Sequence, residues 1–295
     1  MYRKEIPLPD LLLIMANNIH WFPGHMNKAL HEVEEKIKMM DVVIELFDAR
    51  APLSSVNEQL EKASKYKKKL FLITKSDLAD PNQTDKWRKH FLSNDSEVLV
   101  VDLTNKNTYD LISKAVIRLG KSKWDKEMAR GMKPQPIRTM IIGIPNVGKS
   151  SLINLLAKRK AAGVQNKPGY TRGEQWIRVN KDYMLLDTPG ILPMSYENKE
   201  KAANLALIGS IREEILPNTD LVIHLISFLK THYPNSLKER FDIDEIREYT
   251  KVCQAIACKR GLLTNNGQLD LLKAESLLLK EFKDGLLGRI TLEWL

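Results

Sequence analysis

The residues Gly143-Ile144-Pro145-Asn146-Val147-Gly148-Lys149-Ser150 carry the spacing G-x-x-x-x-G-K-[ST] of a phosphate-binding loop. Phosphate concentrates negative charge, so such a loop must present many donors with little side-chain obstruction. Gly143 and Gly148 allow the turn and a close backbone approach. The loop N–H groups and the start of the following helix then face the anion. In that chemistry Lys149 reaches the β- and γ-phosphates and the Ser150 hydroxyl ligates Mg²⁺. Two further segments share the pattern of polar residues closing an apolar run. Asp187-Thr188-Pro189-Gly190 fits Asp-x-x-Gly, with the aspartate on Mg²⁺ and the glycine N–H at the γ-phosphate. Thr74-Lys75-Ser76-Asp77 offers a carboxylate that can accept from N1–H and N2–H₂ of guanine, a donor pair adenine lacks. Lys75 would pack along the base plane, and Thr74 stands where the usual motif has asparagine. Ser-Asp is also ordinary turn chemistry. Thr171 is the candidate second Mg²⁺ ligand, with an ordinary loop threonine as the alternative.

These segments need rigid elements behind them. The apolar runs 41–48, 70–73, 98–101 and 139–142 read as strands, separated by helical patterns at 27–40, 56–65, 87–92, 108–119 and 152–156. Strands alternating with helices indicate a mostly parallel, doubly wound α/β sheet. Residues 120–136 are basic, contain Pro134 and Pro136, and read as a linker. Residues 176–179 and 183–186 read as two more strands. From about 195 the spacing is helical throughout: 202–216, 220–231, 243–259 and 269–282. The expected organisation is a domain over 1–195 and an all-α domain over 196–295.

Composition fits that plan. The chain has 295 residues, 43% hydrophobic and 28% charged, and reads as soluble and globular. No run approaches the length needed to span a bilayer. Leu11 to Ala16 is short and follows Asp10, a poor secretory signal, and Arg3 and Lys4 are too few for a mitochondrial presequence. Cys253 and Cys258 read as buried thiols in a reducing compartment. The reading favours the cytoplasm over the mitochondrial matrix. Net charge is +9, and it is uneven. Residues 1–195 hold 32 Lys and Arg against 22 Asp and Glu, the remainder 14 against 15. Basic clusters at Lys65–Lys69 and between Lys121 and Arg138 suit a polyanion such as nucleic acid. A solvated face is the bland alternative.

The order of the segments is unusual. GTPases normally run phosphate loop, switch threonine, Asp-x-x-Gly, base reader; here Thr74–Asp77 comes first. This resembles the circularly permuted GTPases. Trp21-Phe22-Pro23-Gly24-His25-Met26 and Asp48-Ala49-Arg50-Ala51-Pro52 narrow the resemblance to the ribosome biogenesis GTPase A family and its mitochondrial relatives. The likeness covers nearly the whole chain after residue 18. It implies a permuted Ras-like domain with a C-terminal helical domain that binds RNA or the ribosome. It implies GTP hydrolysis, stimulated by the particle, during late maturation of the large subunit, with rRNA and ribosomal proteins as partners of a monomer. It places the phosphate site on Asn146, Val147, Gly148, Lys149, Ser150 and Ser151, the γ-phosphate sensor on Gly190, and Mg²⁺ on Ser150, Thr171 and Asp187. A second base-proximal segment falls on Asp102 and Leu103. An asparagine at the place of Asn146 helps hold K⁺ in related GTPases. Ile191, after Gly190, cannot orient water, and the resemblance gives that task to His25; the alternative is a structural turn histidine. Two other readings stand beside hydrolysis: an RNA-binding assembly scaffold with GTP as conformational ligand, and an ATP-dependent kinase, which Asp77 disfavours.

Overall fold

The computed structural model describes residues 24–93, 95–158, 176–186, 199–211, 216–244 and 248–295, with backbone alone for 24–29 and 158. Two compact units emerge, one from 24 to 186 joined by 293–295, the other from 199 to 292.

The first unit is one six-stranded sheet. Its strands are β1 (Val42–Asp48), β2 (Lys68–Thr74), β3 (Ser96–Val100), β4 (Ile137–Gly143), β5 (Trp176–Arg178) and β6 (Tyr183–Leu186). Their order is β3-β2-β1-β4-β6-β5, parallel except for β5 against β6. β1 is buried along its whole length, as a central parallel strand covered on both faces must be. Helices α1 (Gly24–Lys38) and α2 (Glu58–Ala63) precede and follow β1. Leu30, Val33 and Ile37 of α1 and Leu60 of α2 pack on Val43, Met140 and Ile142. α3 (Pro81–Phe91) lies on the same face, where Trp87 and Phe91 meet Ile73, Phe71 and Phe47. The Phe47 and Phe91 rings stack at 4.6 Å, worth about 0.5–1.5 kcal/mol beyond their burial. α4 (Thr108–Ala129) covers the opposite face, with Ile112, Ala115 and Val116 fully buried and Ser113 hydrogen-bonded to Tyr183 at 3.0 Å. α5 (Lys149–Lys158) follows β4.

α4 corrects one expectation. The stretch read as a linker from 120 is helical to Ala129. The helix continues because its far end is gripped from outside. Trp124 Nε1 and Lys123 Nζ donate to Gln135 O at 2.9 and 3.0 Å, and Glu127 Oε2 accepts from Gln135 N at 2.8 Å.

The second unit is helical: α6 (Lys199–Leu207), α7 (Asn218–His232), α8 (Ser236–Phe241), α9 (Tyr249–Arg260) and α10 (Leu271–Lys283). α6 stops earlier than the expected 216, because Gly209 at φ +78° lets Ser210 N bond back to Leu205 O. The expected helix over 243–259 is likewise corrected. Asp242, left-handed at φ +63°, ends α8, and α9 starts afresh at Tyr249. Buried acids tie the unit together. Glu281 accepts from Arg240 at 2.7 and 3.0 Å and from Arg260 at 3.1 Å; Glu275 accepts from Thr219 and Tyr249. Cys253 is buried, but Cys258 is exposed, against expectation. Five residues apart on a helix turns them about 140° from each other, so one face cannot bury both.

Candidate functional site

In open α/β sheets the ligand crevice lies at the carboxyl ends of the strands, where the strand order reverses. Here the chain builds β1, β2 and β3 in one direction, then returns to set β4 on the other side of β1. The register pairs Leu46 with Gly143 and Asp48 with Thr74. The loops after β1, β2 and β4 therefore leave from one end. Val101 N donates to Ile73 O at 2.9 Å, which brings Asp102 and Leu103 to the same end.

The loop after β4 is shaped by its glycines. Gly143 has φ +153°, and a Cβ there would stand 3.0 Å from Leu46 O. Gly148 has φ +110°, and a Cβ there would stand 3.0 Å from Leu103 Cδ1. Asn146 is left-handed at φ +59° and exposed. Ile144 and Val147 are fully buried and anchor the loop, while Ser150 and Ser151 are exposed where α5 begins. Lys149 is 8% exposed, its Nζ donating to Gly143 O at 3.0 Å and Ile144 O at 2.7 Å. The ammonium bonds the loop's own carbonyls.

Thr74 is buried, and its hydroxyl lies 2.7 Å from Val147 O and 3.0 Å from Phe47 O. One proton is shared between two carbonyls. The hydroxyl thus fastens the segment after β2 to the phosphate loop. Lys75 is left-handed at φ +56°, and its Nζ sits 2.9 Å from Asp48 Oδ2. Asp48 is fully buried and also accepts from Arg50: backbone N at 3.0 Å, Nε at 2.9 Å and Nη2 at 2.8 Å. Burial alone would push the Asp48 carboxyl up; the Arg50 guanidinium and Lys75 ammonium outweigh it and hold it below the usual range. Ser76 is half-buried. Asp77 is exposed, and its carboxylate has no protein hydrogen bond among the described residues. The exposed Asp102 carboxylate is engaged by Thr104, accepting from its Oγ1 at 2.7 Å and N at 2.8 Å, which holds it below the usual range.

Thr171, Asp187 and Gly190 lie outside the described residues, as does the side chain of His25, whose backbone opens α1. Among the described residues no cluster of three or more His, Cys, Asp or Glu could hold a metal, and no helix is long and apolar enough to cross a membrane. The Asp48–Arg50 pair as anchor of Lys75 was not assigned from sequence. Two opposite charges closing an apolar strand were its only signal.

With β2 and its loop preceding β4 and its loop, the first unit is a circularly permuted P-loop GTPase domain, followed by helices. Residues 138–259 match the family described as 50S ribosome-binding GTPase. The GDP-bound structure of TM YlqF is 26% identical, with a TM-score of 0.62 over 89% of this chain and 98% of that one. The GNP-bound YlqF from T. maritima is 25% identical, with a TM-score of 0.61 over 90% and 98%. Ribosome biogenesis GTPase A of Bacillus cereus is 42% identical over 276 residues, 93% of each chain. The chain belongs to the ribosome biogenesis GTPase A family of GTP hydrolases.

Proposed function

We propose that this protein hydrolyses GTP during late assembly of the large ribosomal subunit, that the particle accelerates turnover, and that hydrolysis releases the protein. The observation that carries the reading is the union of two loops from distant parts of the chain. Thr74 is hydrogen-bonded to Val147 at 2.7 Å, so the segment that carries Asp77 starts against the phosphate loop, as a single nucleotide read at both ends requires. Asp77 accepts from guanine N1–H and N2–H₂, and Lys75, steadied by Asp48, lies along the base. Asp102 and Leu103 border the base through backbone and alkyl contact, since the Asp102 carboxylate is occupied by Thr104. Asn146 to Ser151 wrap the phosphates, with Lys149 reaching the β- and γ-phosphates.

A GTPase family usually carries Mg²⁺ with its nucleotide. The exposed Ser150 hydroxyl fits it, with Thr171 and Asp187 completing the set. Held there, Mg²⁺ would supply neutralisation of the phosphate charge. Asn146 would help hold K⁺. Gly190 senses the γ-phosphate, and His25 orients or deprotonates the attacking water. The helical domain over 196–295 and the basic surplus contact rRNA and ribosomal proteins. The protein acts as a monomer in the bacterial cytoplasm; the matrix, which the mitochondrial relatives suggest, is the less favoured address because Arg3 and Lys4 make a poor presequence.

The test is GTP turnover with and without large subunits, in K⁺ and in Na⁺. Turnover should rise with particles and with K⁺, and release from particles should need hydrolysable GTP. Release with a non-hydrolysable analogue would replace the enzyme by the scaffold reading. Asp77→Asn should lose at least about 100-fold in GTP affinity, from two charge-assisted hydrogen bonds of about 1.5–3 kcal/mol each. Equal affinity for GTP and ATP would refute the base assignment.

A further inference from the structure

The two basic clusters seen in the sequence differ once each cation's partner is known. Lys67 Nζ caps the end of α1, donating to Lys38 O at 2.7 Å and Met40 O at 2.9 Å. Lys68 is paired with Asp95, and Lys69 is 9% exposed beside the Phe71 ring. The cations of that cluster have partners within the domain, Lys68 with Asp95 at the surface, apart from Lys65 and its neighbour Tyr66. Tyr66 is 92% exposed, the most exposed of the large hydrophobic side chains among the described residues. Lys65 Nζ stands 5.6 Å from its ring centroid. The second cluster is the reverse. Lys121, Lys126, Arg130 and Lys133 are exposed and, among the described residues, have no acidic partner. The nearby acids Asp41 and Glu127 are engaged by Lys123, and Asp41 also by Arg138. Asp125 is the exposed exception.

Both sets lie at one end of the sheet. Lys65 and Tyr66 lead into β2, Lys121 to Lys133 lead into β4, and the register joins Val42 to Lys68 and to Thr139. This is the amino end of the parallel strands. The nucleotide loops leave the carboxyl end, about 20 Å away along seven residues of β1.

We infer that this amino-end face, Tyr66 with Lys65, Lys121, Lys126, Arg130 and Lys133, is an RNA-docking surface that leaves the nucleotide end free. Four unpaired cations and one exposed aromatic ring at the same end of the sheet are the chemistry for phosphates flanking an unstacked base. An acidic protein surface would use the cations but would leave the ring unexplained. The inference rests on the ribosomal reading above and narrows it to one face.

The full chain is titrated with purified large subunits, and with rRNA extracted from them, across a salt series. The quadruple variant K121Q/K126Q/R130Q/K133Q should flatten the slope of log affinity against log salt by about 3. Tyr66→Ala should weaken binding roughly 5- to 150-fold. Basal GTP turnover and nucleotide affinity should stay unchanged in both variants. Wild-type slope and affinity in the variants would overturn the inference. So would weakened binding to subunits with unaltered binding to rRNA, which points to a protein partner. Failure of the wild-type chain to bind subunits at any salt would instead overturn the ribosomal reading itself.

Discussion

Glu45→Gln tests the electrostatics of the sheet that positions the site. Glu45 lies in the middle of the central strand, 3% exposed, and its Oε2 has no hydrogen-bond partner among the described residues. Burial pushes its carboxyl up to about 7; Lys69 on β2 opposes this and Glu61 on α2 adds to it. In the unfolded chain the value returns to 4.5. Between those values the folded state holds the extra proton. The resulting stability is fully present below 4.5 and is lost as pH rises through 7. The gap is worth roughly 3 kcal/mol, about 2–3 kcal/mol of it lost between about pH 5 and pH 8. Glutamine copies the neutral acid. The two proteins should therefore match at about pH 5, and the variant should be the more stable by about 2–3 kcal/mol at about pH 8. Urea unfolding followed by tryptophan fluorescence reads this, since Trp87, Trp124 and Trp176 all lie in the sheet unit. A midpoint difference of about 1 M should open as pH rises. A difference that stays constant across the range would refute the reasoning.

Asp48→Asn removes the carboxylate charge shared by buried Arg50 and half-buried Lys75, so unfolding free energy should fall by about 3 kcal/mol, mostly from the uncompensated Arg50. Nucleotide titration should show weaker GDP binding as Lys75 loses its anchor, and an unchanged affinity would detach Asp48 from the base site. Gly120→Ala should gain about 1 kcal/mol of helix propensity but lose more, because its Cβ would stand 2.3, 2.7 and 2.9 Å from three carbons of buried Ile137. A net loss of about 1–2 kcal/mol in denaturation is expected, with a favourable coupling to Ile137→Ala above about 0.5 kcal/mol in a double-mutant cycle. Gly148→Ala puts a side chain at φ +110° and 3.0 Å from Leu103 Cδ1, so calorimetry should show at least a tenfold loss of GTP affinity, and denaturation a strain cost of about 1–3 kcal/mol.

The phosphate loop was legible because its demands are local. Two glycines, a lysine and a hydroxyl at fixed offsets already state the backbone path and the charge. The alternation of strand and helix was legible for the same reason, since periodicity is local. Other features depend on which strands become neighbours. Thr74 read as a weakened base contact, yet its hydroxyl faces Val147 O, and nothing before the fold links positions 74 and 147. The Asp48 anchor of Lys75 needs β1 beside β2. The far half of α4 read as a linker because Lys121 to Arg130 is polar; Gln135 and Pro136 support it from beyond the helix. Loop capping by Glu293, which accepts from Leu53 N at 2.5 Å and Ser54 N at 2.9 Å, joins residues about 240 apart and leaves no trace in either segment.

The inverted order of the segments costs this fold little, and the register explains why. A nucleotide site at the end of a parallel sheet depends on which strand ends are adjacent, not on the order in which the chain visits them. β1 stands between β2 and β4, so the Thr74–Asp77 segment and the phosphate loop flank one strand whichever comes first. Their fastening is correspondingly non-local: Thr74 reaches Val147 O on one side and Phe47 O on the other. Permutation does demand a new covalent connection, and α4 to β4 supplies it at the opposite end of the sheet. That connection is clamped by Lys123, Trp124 and Glu127 rather than left slack. A clamped junction at the amino end fixes the backbone that carries its exposed cations, while at the carboxyl end the Lys149 ammonium is bonded to the carbonyls of its own loop, Gly143 O and Ile144 O.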